Sequence, residues 1–313
     1  MRTAFINTLY ELAKKDKRIF LLNGDIGFSV LEEFTKSFPD RSLNMGVAEA
    51  NMIGVAAGLA MAGKIVFVYS ITPFVTARVF EQIRNDVALQ KLNVKIVGVG
   101  SGLSYGQLGP THHSVEDISI MRSLPNMTVV CPGDPRETIA ATKAVTKYNG
   151  PVYLRIGKKG EPDVHYKVPV LKIGKGILIK DGKDCTLIST GNMLNTAYKV
   201  MEQLGQNNIR ARLISLPTVK PLDEKLIKKA AKETPAIFTL EEHNIIGGLG
   251  SAVAEVVAEN RLPVHFRRFG VPDKFPILAG SQEFLRSYYK LSADDISKEI
   301  KKILRIKIRV IKK

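Results

Sequence analysis

Short apolar runs alternate with segments of helical period along almost the whole chain. Residues 18–23, 65–70, 94–99, 128–131 and 152–156 are continuous apolar runs, too short to be helices. Between them, residues 4–15, 48–62, 76–90, 114–124 and 135–147 space their apolar positions for one helix face. Strands apolar on both faces and separated by helices predict a mainly parallel sheet covered on each side. The pattern lapses over residues 157–180, which are rich in Lys, Pro and Gly and end in a short strand entry, KIGKGILIK. It then restarts, with strands at 185–189, 209–215, 236–240 and 264–269 and helices at 195–204, 224–232, 249–259 and 293–303. The prediction is two consecutive three-layer α/β domains with mainly parallel sheets, 1–165 and 181–313, joined by a linker at 166–180. Fold class alone does not give function.

Composition narrows the options. A chain of 313 residues with 45% hydrophobic and 24% charged residues is ordinary for a folded two-domain protein, which excludes a mainly disordered chain. No run approaches the roughly 18–20 apolar residues of a spanning helix, and the first 20 residues lack a signal-peptide pattern, so no membrane is expected. Two distant cysteines, Cys131 and Cys185, exclude a disulfide scaffold and a Cys-rich zinc site and fit a reducing cytoplasm. The net charge of +16 points toward nucleic acid until its distribution is considered. Residues 1–150 carry 16 Lys and Arg against 13 Asp and Glu, and residues 151–313 carry 30 against 17. Seven of the cations lie in the last 13 residues, without an acid or an aromatic among them. A solvated basic tail accounts for this better than a nucleic-acid partner.

Glycine-rich loops give little. Gly98-Val-Gly100-Ser-Gly102 follows a strand, but a loop rather than a helix comes next, so no helix N-terminus is on hand for a pyrophosphate. Gly247-Gly248-Leu-Gly250-Ser251 does open a helix and reads either as a tight turn or as an anion site. The segment NMGVAEANMIGVAAGLAMAG is more informative. Ala50, Gly54, Gly58 and Ala62 recur every fourth residue, which lines up small side chains on one helix face and lets another backbone approach. Glu49 is the only charge between Arg41 and Lys64. It is either a first-turn acid stabilised by the helix dipole or a carboxyl in apolar surroundings that can hold or share a proton. Gly109-Pro110-Thr111-His112-His113 ends a glycine-punctuated loop. Adjacent histidines rarely bind one metal, so no metal site is expected, whereas a loop histidine at the carboxyl end of a parallel sheet suits substrate or proton contact.

Taken in order and with their spacing, GVAEANMIGVAAGLA, TPFVTARVFEQIRNDVA, GPTHHSVEDISIMRSLPNM and GPVYLR resemble the pyrimidine-binding domain of thiamine-diphosphate enzymes of the transketolase superfamily. TLEEHNIIGGLGSAVAE is similar to that superfamily's C-terminal domain, so the resemblance spans essentially the whole chain. The family's diphosphate-binding GDG…N motif has no counterpart here; the nearest strings are Asn23-Gly24-Asp25-Ile26 and Lys180-Asp181-Gly182. The resemblance therefore implies the C-terminal subunit of a split transketolase, moving a two-carbon ketol unit from a ketose (phosphate) to an aldehyde. Its partner would be an N-terminal subunit that holds the diphosphate and Mg²⁺ (or Ca²⁺), within a heterotetramer. The alternatives are a deoxyxylulose-phosphate-synthase-like or 2-oxoacid-dehydrogenase beta-type subunit, or a non-catalytic subunit that retains the fold.

The resemblance also assigns roles. Glu49 matches the glutamate that faces N1′ of the aminopyrimidine, where a shared proton favours the 4′-imino form. Phe74 falls on the stacking position, with Phe80 a weaker substitute, and Asp25 is implied near the thiazolium end. His112 matches the loop histidine that contacts donor hydroxyls, and His113 stands where a further substrate contact is common. Arg2, Ser29 and Arg155 match phosphate-contacting positions. Two departures stand out: Leu108 replaces an acceptor-reading aspartate and Gly100 a substrate histidine.

Overall fold

The computed structural model describes residues 1–158 and 160–311, with side chains described as far as Leu304. The first half runs α1 (Arg2–Lys15), β1 (Ile19–Asn23), α2 (Glu32–Ser37), β2 (Ser42–Asn44), α3 (Glu49–Met61), β3 (Ile65–Ile71), α4 (Thr72–Val75), α5 (Phe80–Gln82), β4 (Val94–Val99), α6 (Asp117–Ser123), β5 (Thr128–Val130), α7 (Pro135–Lys147) and β6 (Val152–Ile156). The second half runs β7 (Ile177–Lys180), β8 (Cys185–Ser189), α8 (Leu194–Gly205), β9 (Ala211–Ser215), β10 (Thr218–Lys220), α9 (Glu224–Glu233), β11 (Ala236–Asn244), α10 (Leu249–Glu259), β12 (His265–Val271), α11 (Gln282–Tyr288) and α12 (Ala293–Ile311).

Two sheets result, in strand orders β10-β5-β6-β4-β3-β1-β2 and β12-β11-β8-β9-β7. Within the first, β2, β1, β3, β4, β6 and β5 pair in parallel. The period of two along each strand divides its core between two faces. Leu22, Val66, Val68 and Ile96 pack beneath α3, while Leu21, Phe67, Val97 and Leu154 pack toward α1 and α7. Burying such a side chain contributes about 1.5–3 kcal/mol, which is why these runs need no alternation to specify strands.

Residues 177–180, within the short strand entry expected at the end of the linker, form β7, antiparallel to β9 at the edge of the second sheet. Two features were not expected. The single helix expected over 76–90 is broken. Pro73 opens α4, Thr76 and Val79 leave helical dihedrals, and the chain resumes through α5 into a π-helical turn at Ile83–Ala88. The domains are also not independent sheets, because β10 from the second half crosses over to pair antiparallel with β5. The expectation of a solvated basic tail falls mostly on side chains beyond 304, outside those described.

Candidate active site

Strands β2, β1, β3, β4 and β6 are parallel, so their carboxyl ends share one edge of the sheet. The loops leaving that edge carry Asp25, Ser29, Glu49, Phe74, His112 and Lys158. In open α/β sheets, ligands bind in the crevice outside the carboxyl ends of the strands.

Glu49 is the first residue of α3, following the loop from β2, and is only 3% exposed. Its carboxylate meets polar partners rather than apolar surroundings. Oε1 accepts a hydrogen bond from Ser70 Oγ at 3.3 Å, and Oε2 accepts one from Arg78 Nη1 at 2.8 Å. The guanidinium carbon of Arg78 lies 4.2 Å from the centre of the Phe74 ring. Gly24 makes room for this group: a Cβ there would stand 3.2 Å from Ser70 Oγ and 3.5 Å from the Glu49 side chain. Phe74 and Arg78, four residues apart, meet at the cleft even though the chain leaves helical dihedrals at Thr76 between them.

His112 also packs on Phe74, the two rings T-shaped with centres 5.2 Å apart. Its Nδ1 pairs with Thr111 Oγ1 at 3.0 Å. Burial, with His113 beside it, pushes its pKa below the ordinary 6.5, so the ring is uncharged at neutral pH. Tyr105 stands 6.3 Å from His112, and the Lys158 ammonium lies 4.6 Å over the Tyr105 ring. Arg2, on the first turn of α1, donates from Nε to the Lys158 carbonyl at 2.8 Å. Burial raises the pKa of the nearby Tyr69 hydroxyl above the ordinary 10, against the pull of the Arg2 charge. One line of groups thus runs from Glu49 to Arg2.

Asp25 and Ser29 lie on the exposed loop after β1, both at positive φ. Asp25 and Asn44 exchange hydrogen bonds of 3.0 and 3.1 Å, and the Ser29 N–H is held by Glu32.

The structure does not bring His113 or Arg155 to this line. His113 is buried, with Nδ1 2.9 Å from the Pro276 carbonyl and Nε2 3.3 Å from that of Gly106, so it fastens the loop to the second domain. Arg155 is 1% exposed. It donates to both oxygens of Asp117, at 2.6 and 3.3 Å, and to the Glu242 carbonyl at 2.9 Å. Its Nε and Nη2 are engaged at the seam between the domains, with Asp117, the Ser114 carbonyl and the Glu242 carbonyl. The two departures noted in the sequence also have a shape. A Cβ at Gly100 would run into the Tyr105 ring, so Tyr105 fills the space beside it, while Leu108 is about half exposed.

Arg78, Ser70, Tyr105, Lys158 and Asn44 join the site without having been singled out from the sequence. Arg78 and Asn44 carried a signal, Arg78 lying within the TPFVTARVF segment four residues after Phe74 and Asn44 opening the NMGVAEANM segment. The glycine-rich opening of α10 proves to be an anion site already filled from within. The Leu249 and Gly250 N–H groups donate to the Glu241 carboxylate at 2.7 and 2.8 Å. Burial pushes Glu241 up to about 7, against the pull of those two donors. Among the described residues, no group of three or more His, Cys, Asp or Glu is placed to hold a metal ion. Among the same residues, no helix is long and apolar enough to cross a membrane.

The architecture is that of a two-domain α/β protein whose cleft opens at the carboxyl edge of a parallel sheet. Residues 1–161 match the transketolase pyrimidine binding domain, and residues 174–296 match the transketolase C-terminal domain. The chain belongs to the thiamine-diphosphate-dependent transketolase family. A putative transketolase C-terminal section of Methanocaldococcus jannaschii is 42% identical, over 96% of this chain and 95% of that one. One subunit of the apulose-4-phosphate transketolase of Phocaeicola vulgatus is 40% identical, over 95% of each chain. A split-gene transketolase, solved as an inactive beta4 tetramer, superposes with a TM-score of 0.89 at 38% identity, covering 97% of this chain and 98% of that one. This kinship supports a transferase role.

Proposed function

We propose that this chain is the C-terminal subunit of a two-subunit transketolase, transferring a two-carbon ketol unit from a ketose phosphate to an aldehyde. The observation that carries the reading is the Glu49–Phe74 cradle: a buried carboxylate accepting an N–H from a planar group stacked on an aromatic face. An aminopyrimidine carrying the shared proton at N1′ offers the same combination of flat face and in-plane N–H, so the residues fit thiamine diphosphate. When bound, the cofactor supplies the carbon nucleophile that takes up the ketol unit. Glu49 accepts and holds a proton at the pyrimidine edge. Phe74 fixes the ring plane, and Asp25 with Asn44 shapes the neighbouring wall. His112, neutral and tied by Thr111, keeps Nε2 for a substrate hydroxyl and moves a proton there. Arg2, with Ser29 at the mouth, anchors the substrate phosphate. Mg²⁺ (or Ca²⁺) and the diphosphate would be held mainly by the N-terminal subunit.

The test is reconstitution. The purified chain is expected to show no ketol transfer, and adding a separately purified N-terminal subunit with thiamine diphosphate and Mg²⁺ is expected to restore it. Full activity of the chain alone overturns the two-subunit reading. Turnover of pyruvate in place of a ketose phosphate would move the assignment to the deoxyxylulose-phosphate-synthase-like alternative.

The α3 face indicates where assembly happens. Ala50, Gly54, Gly58 and Ala62 are all exposed, and a Cβ added at Gly54 or Gly58 meets nothing within 4 Å. A bare backbone of this kind suits close helix packing against another subunit. Gly54→Leu is expected to leave the melting temperature of the isolated chain unchanged and to shift the complex to smaller species in size-exclusion chromatography. An unchanged elution profile would show that this face is not the seam.

A further inference from the structure

The Glu49–Phe74 cradle is filled by a group of the chain itself. Arg78 lays its guanidinium 4.2 Å from the centre of the Phe74 ring and donates to Glu49 Oε2 at 2.8 Å. Glu49 Oε1 is engaged by Ser70, and His112 packs T-shaped on Phe74 with ring centres 5.2 Å apart. A guanidinium is planar, carries its N–H donors in the plane and stacks readily on an aromatic face. These are the features by which the cradle would recognise an aminopyrimidine that carries the shared proton at N1′. The carboxylate oxygen and the ring face used by Arg78 are therefore the ones the cofactor ring needs, and both cannot use them together. The two partners differ in freedom: the Glu49 side chain is 2% exposed, whereas that of Arg78 is 47% exposed. Arg78 sits on the short turn Ala77–Val79, between two breaks in the helix, with solvent on its outer side.

We propose that Arg78 is an internal plug of the pyrimidine cradle. It holds Glu49 and Phe74 in their paired arrangement while the cofactor is away and swings out to admit the ring. The proposal rests on the cofactor reading above and adds to it a competition within the chain. The cofactor must displace a stacked, hydrogen-bonded cation, so the affinity observed is lower than the cradle itself allows.

The experiment is titration of thiamine diphosphate with Mg²⁺ into the complex of this chain with its N-terminal subunit, followed by calorimetry. Arg78→Ala removes both the stacking and the hydrogen bond and is expected to tighten binding about tenfold, with faster association. Arg78→Lys keeps the charge but not the flat fork and is expected to fall between Ala and wild type. Melting curves of each free subunit check that the fold is retained; because Arg78 is half exposed, Arg78→Gln is a second variant if Ala fails to fold. Unchanged or weaker binding by folded Arg78→Ala and Arg78→Gln overturns the plug. Phe74→Ala separates this from failure of the cofactor reading. If the wild-type complex binds and Phe74→Ala binds equally well, the cradle is not the cofactor site and the plug falls with it.

Discussion

Glu49→Gln is expected to lower turnover of the reconstituted complex by about 10³-fold, within the range by which positioned acid–base groups accelerate proton transfer. Glutamine has the length of glutamate, and its amide oxygen can still accept from Ser70 or from Arg78. What it lacks is the ability to take up a proton at the pyrimidine edge. The substitution should therefore separate chemistry from structure. The lost ion pair has a partner that is 47% exposed, so water can solvate the freed Arg78 and the stability cost is of the order of 1 kcal/mol or less. Turnover under saturating substrate and cofactor, together with a thermal melt, checks both halves. Retention of a tenth or more of the wild-type rate would show that Glu49 holds no essential proton. A large drop in melting temperature would instead mean that the carboxylate acts mainly as a structural partner of Arg78.

Glu49 is also an example of what a sequence makes legible. Continuous apolar runs mark parallel strands because both faces of each strand are buried, and β1, β3, β4, β6, β8, β9 and β11 lie where those runs lie. Glu49 was visible because a lone charge in a long uncharged stretch is a local property, and Phe74 and His112 because they belong to short contiguous segments. Arg78 was not, because a cation four residues after an aromatic is an ordinary helical neighbour, and nothing local shows that it reaches Glu49, 29 residues earlier in the chain. Tyr105 was missed for a similar reason, since its ring is placed by Gly100, at φ +70. β10 was invisible because a three-residue strand acquires its identity from β5, far away along the chain. Arg155 and His113 are instructive in another way. A match in sequence places a residue on a strand or a loop, but it does not say whether the other domain has already claimed the side chain. The second domain claims both, through the Glu242 carbonyl and the Pro276 carbonyl.

Arg155→Met is accordingly expected to damage stability rather than phosphate recognition. Arg155 and Asp117 are fully buried and meet at 2.6 Å, with the Tyr153 hydroxyl donating to the same carboxylate at 2.6 Å. Burial works against the Arg155 charge, but the Asp117 carboxylate outweighs it and holds the guanidinium above its usual pKa. Burial likewise opposes the Asp117 charge, and Arg155 and His243 overcome it, so the carboxyl stays below the ordinary 3.8. Removing the cation leaves a carboxylate stranded in the interior and is expected to cost about 3–5 kcal/mol, read as a fall in the denaturation midpoint of the isolated chain. Asp117→Leu added to Arg155→Met removes the stranded charge and should recover part of that loss. The sign of the pH dependence follows from the lowered Asp117 pKa. In the wild type its contribution is complete above the unfolded carboxyl's 3.8 and is lost as the pH falls through the depressed value. In the single variant, acid neutralises the stranded carboxylate instead, so the stability gap between the two should narrow as the pH falls. The contrasting variant is Arg2→Ala, which breaks one half-buried hydrogen bond and should raise KM for a sugar phosphate while leaving the melt nearly unchanged. A rise in KM with Arg155→Met at intact stability would return that guanidinium to the substrate and mean that the seam opens in the assembled enzyme.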